Sequence, residues 1–160
     1  MTLSELLHGE LLAQGLSSVL EQAAFIFSET IENCDGPAPW SSDDLLRVRL
    51  EIGVEAEQGA LWLQCEKDAG ISLAANLLGI EMDDEQAWQK APDASGELLN
   101  IVCGTLLEQA CGSELEYRLG TPEISGCQAN ASSDLPGTQL SVARLSTEDG
   151  HIMELQLRTA

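Results

Sequence analysis

Positive charge is scarce in this chain: seven lysines and arginines stand against 27 aspartates and glutamates, a formal net charge of -20. Such a field repels phosphate backbones and anionic lipid surfaces, so neither nucleic acid nor a membrane is an expected partner. No apolar run reaches the length of a bilayer span. The N-terminal MTLSELLHGELL carries Glu5 and Glu10 where a secretory leader carries basic residues, and it lacks the small-residue cleavage site. A cytoplasmic protein is expected. The five cysteines, Cys34, Cys65, Cys103, Cys111 and Cys127, form no CxxC pair, which argues for reduced, mostly buried thiols over disulfides or a zinc site. His8 and His151 have no motif partner. There is also no P-loop, no Ser-His-Asp order, no HxxEH-like zinc site and no Cys-x5-Arg loop, so the familiar hydrolytic machineries are excluded.

What is present suffices for a core. With 44% hydrophobic residues, the 160-residue chain fits one domain over residues 1–160, with 1–15 as an N-terminal arm or short helix interrupted by Gly9 and Gly15. Val19, Leu20, Ala23, Phe27 and Ile31 recur at helical spacing. They predict a long helix from Ser17 to about Asn33, capped by Ser17 or Ser18 and stopped by Asp35-Gly36-Pro37. Leu46, Val48, Leu50 and Ile52 alternate with charged residues, the period of a half-buried strand. A second strand over Ala60–Cys65 completes a hairpin through a turn at Glu55–Gly59. Trp62 falls in that sheet as a core or partly buried residue. Asp68 precedes a shorter helix that runs through Leu78, with Gly79 as its C-cap.

Residues 81–92 are acidic and are expected to form a connector. The EMDDE run within it lacks the spacing and glycine of a calcium loop, so a solvated loop is expected over a cation site. A second long helix should begin after Pro92, with Asp93 or Ser95 near its N-cap, and end at Gly112. Leu115–Leu119 alternates like a strand, GTPEI reads as a turn and 125–137 as a loop region. Gln139–Leu145 and Ile152–Arg158 make a closing hairpin around Glu148-Asp149-Gly150.

The second long helix has two distinct faces. At about 100° per residue, Leu99, Val102, Cys103, Leu106 and Ala110 form an apolar stripe, while Asp93, Glu97, Asn100 and Gly104 fall on the opposite side. Sliding the chain by 76 residues lays Ser17, Glu21, Ala24 and Ser28 over these four. The acid recurs and the amide does not, so Glu21 marks a degenerate second site. Each long helix precedes alternating strands. The expected fold class is therefore α+β, a pseudo-symmetric domain with an antiparallel-rich sheet, two long helices and one shorter one.

The stretch Asp93-xxx-Glu97-xx-Asn100-xxx-Gly104, followed by Pro122, resembles the signature of the CheC, CheX and FliY family of chemotaxis phosphatases. The hairpin and ISLAANLLGIEM look like the family's strand, short helix and LLG segment, and SSVLEQAAF looks like a CheX-type first helix. One complete motif makes the chain most similar to CheX. Ala24 in the first helix departs from the pattern, and the C-terminal third matches little beyond GTPEISG. The resemblance implies hydrolysis of the aspartyl phosphate on a phosphorylated CheY-like receiver domain in chemotaxis or related two-component signalling. In that reaction Asn100 would orient the attacking water and Glu97 would dock to the receiver's lysine, while Asp93 and Gly104 would belong to the binding face. No cofactor or metal of its own is implied; magnesium is expected in the partner receiver. Family resemblance further implies a homodimer joined through edge strands, with the C-terminal strands as candidates. Two alternatives stand beside this reading: the pair is merely the solvated face of an amphipathic helix, or the chain is a catalytically inactive receiver-binding or scaffold module of the same fold.

Overall fold

The computed structural model describes residues 1–36, 38–40, 44–128 and 135–160, and of 126–128 the backbone alone. The elements run α1 (Leu3–Leu6), α2 (Gly9–Ala24), β1 (Ser28–Ile31), β2 (Leu45–Val54), β3 (Glu57–Glu66), α3 (Lys67–Leu78), α4 (Glu85–Cys111), β4 (Tyr117–Leu119), β5 (Glu123–Gln128), β6 (Gln139–Thr147) and β7 (Ile152–Thr159). All strand pairs are antiparallel, in the order β1-β6-β7-β3-β2, with β4 and β5 both pairing along β2 at the far edge. Alternation sets the two faces of this sheet. Val48, Leu50, Leu61, Leu63, Leu155 and Leu157 point one way into a core that they share with Leu16 and Leu20 of α2, Leu73 of α3, and Leu99 and Leu106 of α4.

The order of the strands carries a pseudo-twofold. Each half is a helix, an edge strand and a hairpin: α2, β1, β2–β3, then α4, β4–β5, β6–β7. Each edge strand crosses to the other half's hairpin, β1 onto β6 and β5 onto β2, and the hairpins meet where β3 pairs with β7. The described parts of the links out of β1 and β5, Gly36 and Leu135–Gly137 among them, lie over the sheet face that has no helices. There Arg144 donates to the Gly36 carbonyl, and Arg158 donates to the carbonyls of Leu135, Pro136 and Gly137. Irregular backbone over a sheet needs donors, and the buried Arg144 and the half-buried Arg158 supply them. Arg144 is itself held by Glu154 at 2.7 Å, with both side chains buried, and Glu154 also accepts from Gln64 and Gln156. Burial pushes the pKa of neighbouring Arg47 down, and the Glu154 carboxylate opposes that shift.

Several expectations are corrected. The first long helix occupies Gly9–Ala24 rather than Ser17–Asn33. The His8 ring nitrogen Nδ1 accepts from Leu11 N at its start. Phe25 in the left-handed region ends it, with Phe25 N bonded to Glu21 O and Ile26 N to Leu20 O, a Schellman-type closure. Gly15 does not break this helix; it lets α2 approach α4, since a Cβ there would lie 2.5 Å from Leu106 Cδ2. Phe27 is exposed and Ile31 belongs to β1, so their helical spacing was coincidental.

Likewise α4 starts at Glu85, with Asp84 Oδ1 accepting from Gln86 N at 2.8 Å, and Pro92 lies inside it. The acidic connector thus shrinks to a short turn in which Asp84 is a cap. The short helix α3 begins at Lys67, with Asp68 in its first turn, and ends at Gly79 in the left-handed conformation. Part of the 125–137 loop is strand, because β5 continues to Gln128, while 129–134 lie outside the described residues. The C-terminal strands β6 and β7 both lie inside the strand order, but β1 pairs with β6 over Arg144–Thr147 alone, so among the described residues the Gln139–Ala143 part of β6 has no neighbouring strand on that side.

Cys65, Cys103 and Cys111 are buried, Cys34 is half-buried, and all four are free thiols; the Cys127 side chain lies outside the described ones. Burial pushes the Cys103 thiol far up. Trp62 is buried on the outer face under Leu135, with the Arg49 guanidinium 5.9 Å from its ring. No helix among the described residues is long and apolar enough to cross a membrane.

Candidate functional site

Helix α4 is fixed from below. Leu98, Leu99, Val102, Cys103, Leu106 and Leu107 are buried, and Ala110 packs against the same core, so the outward face is carried on an anchored rod. On that face Asp93, Glu97 and Asn100 are exposed and Gly104 is partly so. The first three, with Gly96, form one wall of an open groove of about 390 Å³. Its other wall is Gly120, Thr121, Pro122 and Ile124.

This second wall is also fixed. Gly120 N donates to Glu51 O at 2.8 Å, tying the segment to β2, and Pro122 restricts the backbone next to it. Gly96 brings the walls together: a Cβ there would sit 3.0 Å from Ile124 Cδ1, tighter than ordinary packing allows. Gly104 differs. A Cβ at that position would meet only Leu119 Cδ1, at 3.9 Å, so the chain's own packing does not require glycine. Any demand for a small residue there comes from outside the chain.

Among the described residues, the Asn100 amide and the Glu97 carboxylate take part in no side-chain hydrogen bond and no ion pair. An amide can donate and accept at once, and a free carboxylate one turn earlier can bind a cation. Together they can orient a small polar molecule beside a docked partner. Among the described residues no serine, cysteine or histidine lines the groove, and no cluster of His, Cys, Asp or Glu could hold a metal ion. The histidines stand elsewhere: His8 caps α2, and the His151 backbone closes the β6–β7 turn through Thr147 Oγ1.

The structure therefore brings Asp93, Glu97, Asn100 and Pro122 to one groove and leaves Gly104 on its rim. It does not support the internal match built on Glu21. The 76-residue slide needs Ser28 on the helix, and Ser28 lies in β1. Aligning the two helix ends, Phe25 on Gly112, gives a slide of 87. Gly9-Glu10-Leu11-Leu12 then falls on the identical Gly96-Glu97-Leu98-Leu99, and Leu20-Glu21-Gln22-Ala23 on the identical Leu107-Glu108-Gln109-Ala110. The counterpart of Glu97 is thus Glu10, that of Asn100 is Ala13, and that of Gly104 is Ser17. The repeated GELL and LEQA were the signal in the sequence, overlooked because Gly9 and Gly15 read as breaks. Gly96 and the Gly120–Thr121 wall were also missed; their roles depend on contacts between segments far apart in the chain.

No protein-family model matches this sequence, and no curated protein is similar to it by sequence. Solved structures are similar in fold. CheX from Vibrio vulnificus superposes with a TM-score of 0.71 at 15% identity, covering 92% of this chain and 97% of that one. A CheC-like chemotactic protein from Shewanella oneidensis gives 0.68 at 16% identity, covering 93% and 95%. CheX of Borrelia burgdorferi, solved in complex with CheY, BeF3 and magnesium, gives 0.65 at 18% identity, covering 93% and 95%. The pseudo-symmetric α+β fold expected from the sequence is the fold these chemotaxis proteins share.

Proposed function

We propose that this chain hydrolyses the aspartyl phosphate of a CheY-like receiver domain, in chemotaxis or a related two-component pathway. The observation that carries the reading is the pair of unpartnered groups, Glu97 and Asn100, one turn apart on the anchored face of α4 at the mouth of a groove. The fold is shared with a CheX that was solved bound to CheY, BeF3 and magnesium, which supports the choice of partner.

Hydrolysis of an acyl phosphate needs a water aligned opposite the leaving carboxylate oxygen, with positioning supplying much of the acceleration. Asn100 accepts a hydrogen bond from that water through Oδ1 and donates through Nδ2 to a phosphoryl oxygen or a second water. Glu97 pairs with the receiver lysine beside the phosphate and so fixes the docking register, with Asp93 one turn earlier adding a second carboxylate. Gly104 leaves room for the partner's backbone. The leaving group is the receiver's own aspartate, and magnesium belongs to the receiver.

Phosphate release from a phosphorylated receiver tests the reading. Asn100→Ala should remove the acceleration while much of the docking persists, and Glu97→Ala should weaken both. Release unchanged by the wild-type protein with every receiver tried would leave the idle scaffold of the same fold as the better account. A homodimer joined edge to edge would use β1 together with the open Gln139–Ala143 part of β6, or the β4–β5 edge; light scattering of wild type against a Thr30→Pro variant checks the first choice.

A further inference from the structure

The site has an apolar border that the acid and amide pair does not account for. Ile101, Leu119 and Ile124 are 36%, 39% and 40% exposed. Ile101 follows Asn100 on the outer side of α4, Leu119 stands beside Gly104, and Ile124 stands beside Gly96. Charge is distributed unevenly around this border. Arg47, Arg49, Arg144 and Arg158 project from the opposite sheet face, where Arg144 and Arg158 are spent on crossing carbonyls. On the outward face of α4, Asp93, Glu97 and Glu108 are accompanied by Lys90 alone. An apolar centre with a charged border is how specific interfaces are commonly built.

We infer that this surface selects a receiver domain whose phosphorylation face presents an apolar patch flanked by several lysines or arginines, beyond the one lysine beside the phosphate. The inference rests on the phosphatase reading and adds which receivers qualify. Ile101, Leu119 and Ile124 supply the contact area, while Asp93 and Glu108 steer a basic face onto Asn100. An acidic receiver is repelled by the same field.

The probes are the receiver domains of the same genome, activated with BeF3 and sorted by the charge of their phosphorylation face. Binding is measured from about 50 to about 300 mM salt. Basic-faced receivers should bind at least about tenfold more tightly than acidic-faced ones at the low end and lose that advantage as salt rises. The pair Ile101→Ser and Leu119→Ser should cost about tenfold at every salt concentration. Asp93→Asn with Glu108→Gln should flatten the salt dependence, and Phe27→Ser, an exposed aromatic change at the far end of α2, should alter nothing. Tightest binding by an acidic-faced receiver overturns the inference, as does wild-type affinity in the Ile101 and Leu119 variant, even where Asn100-dependent hydrolysis holds. Failure of the wild type to bind any BeF3-activated receiver or to hydrolyse any phosphorylated one removes the phosphatase reading along with it.

Discussion

The two halves of this molecule carry helices that share the GELL and LEQA segments and differ in the link that leaves each helix. Three residues separate α2 from β1, whereas eleven separate α4 from β5 and include β4. The short link draws β1 close: Ala13 is 6% exposed, in a groove bordered by Glu10, Gln14, Thr30, Ile31 and Val142. The long link sets Gly120–Pro122 apart from α4 and leaves Asn100 in the open. Glu10 and Glu97 are likewise the same residue under different constraints. Glu10 lies in the first turn of α2, where the helix dipole favours an acid without any partner. Glu97 stands in the middle of a 27-residue helix, where no such local reason applies. A repeated acid is therefore weak evidence of a repeated site, and the exposed amide is the informative difference.

The strongest perturbation should break both halves together. Glu154 on β7 holds Arg144 of the second half and Gln64 of the first, so Glu154→Ala removes a buried carboxylate that ties the two together. A loss of about 3–5 kcal/mol is expected in denaturant unfolding. Next in size, Asn100→Ala should lower the hydrolytic rate by about 100-fold, equivalent to about 2.7 kcal/mol, with stability unchanged. Two glycines sharpen the contrast between packing and docking. Gly15→Ala should cost about 1–3 kcal/mol against Leu106, while Gly104→Ala should hold or raise the melting temperature and weaken receiver binding. The smallest pair tests the repeat itself: Glu97→Ala should raise KM about tenfold, and Glu10→Ala should leave it within about twofold.

Those parts of the fold governed by short-range pattern were legible in the sequence. The alternation in Leu46–Ile52 and Ile152–Arg158 gave strands because one face of each is buried, and Gly79 ended α3 because it takes a left-handed backbone. The helices were misplaced where tertiary packing overrode local chemistry. Gly15 reads as a break until Leu106 fills the space above it, and Pro92 reads as a start although the helix begins at the cap Asp84. Within the site, Glu97 and Asn100 were visible as an outward face. The facing wall was not, because Gly96 against Ile124 and Gly120 against Glu51 are contacts between distant segments.

The central claim is that the second half alone performs the chemistry. Single-turnover decay of a phosphorylated receiver, with wild type, Asn100→Ala and Glu10→Ala each at saturating concentration, tests it most directly. Wild type and Glu10→Ala should accelerate decay equally, with Asn100→Ala at the receiver's spontaneous rate while still bound. Decay as fast with Asn100→Ala as with wild type, or as slow with Glu10→Ala as with Asn100→Ala, would contradict it.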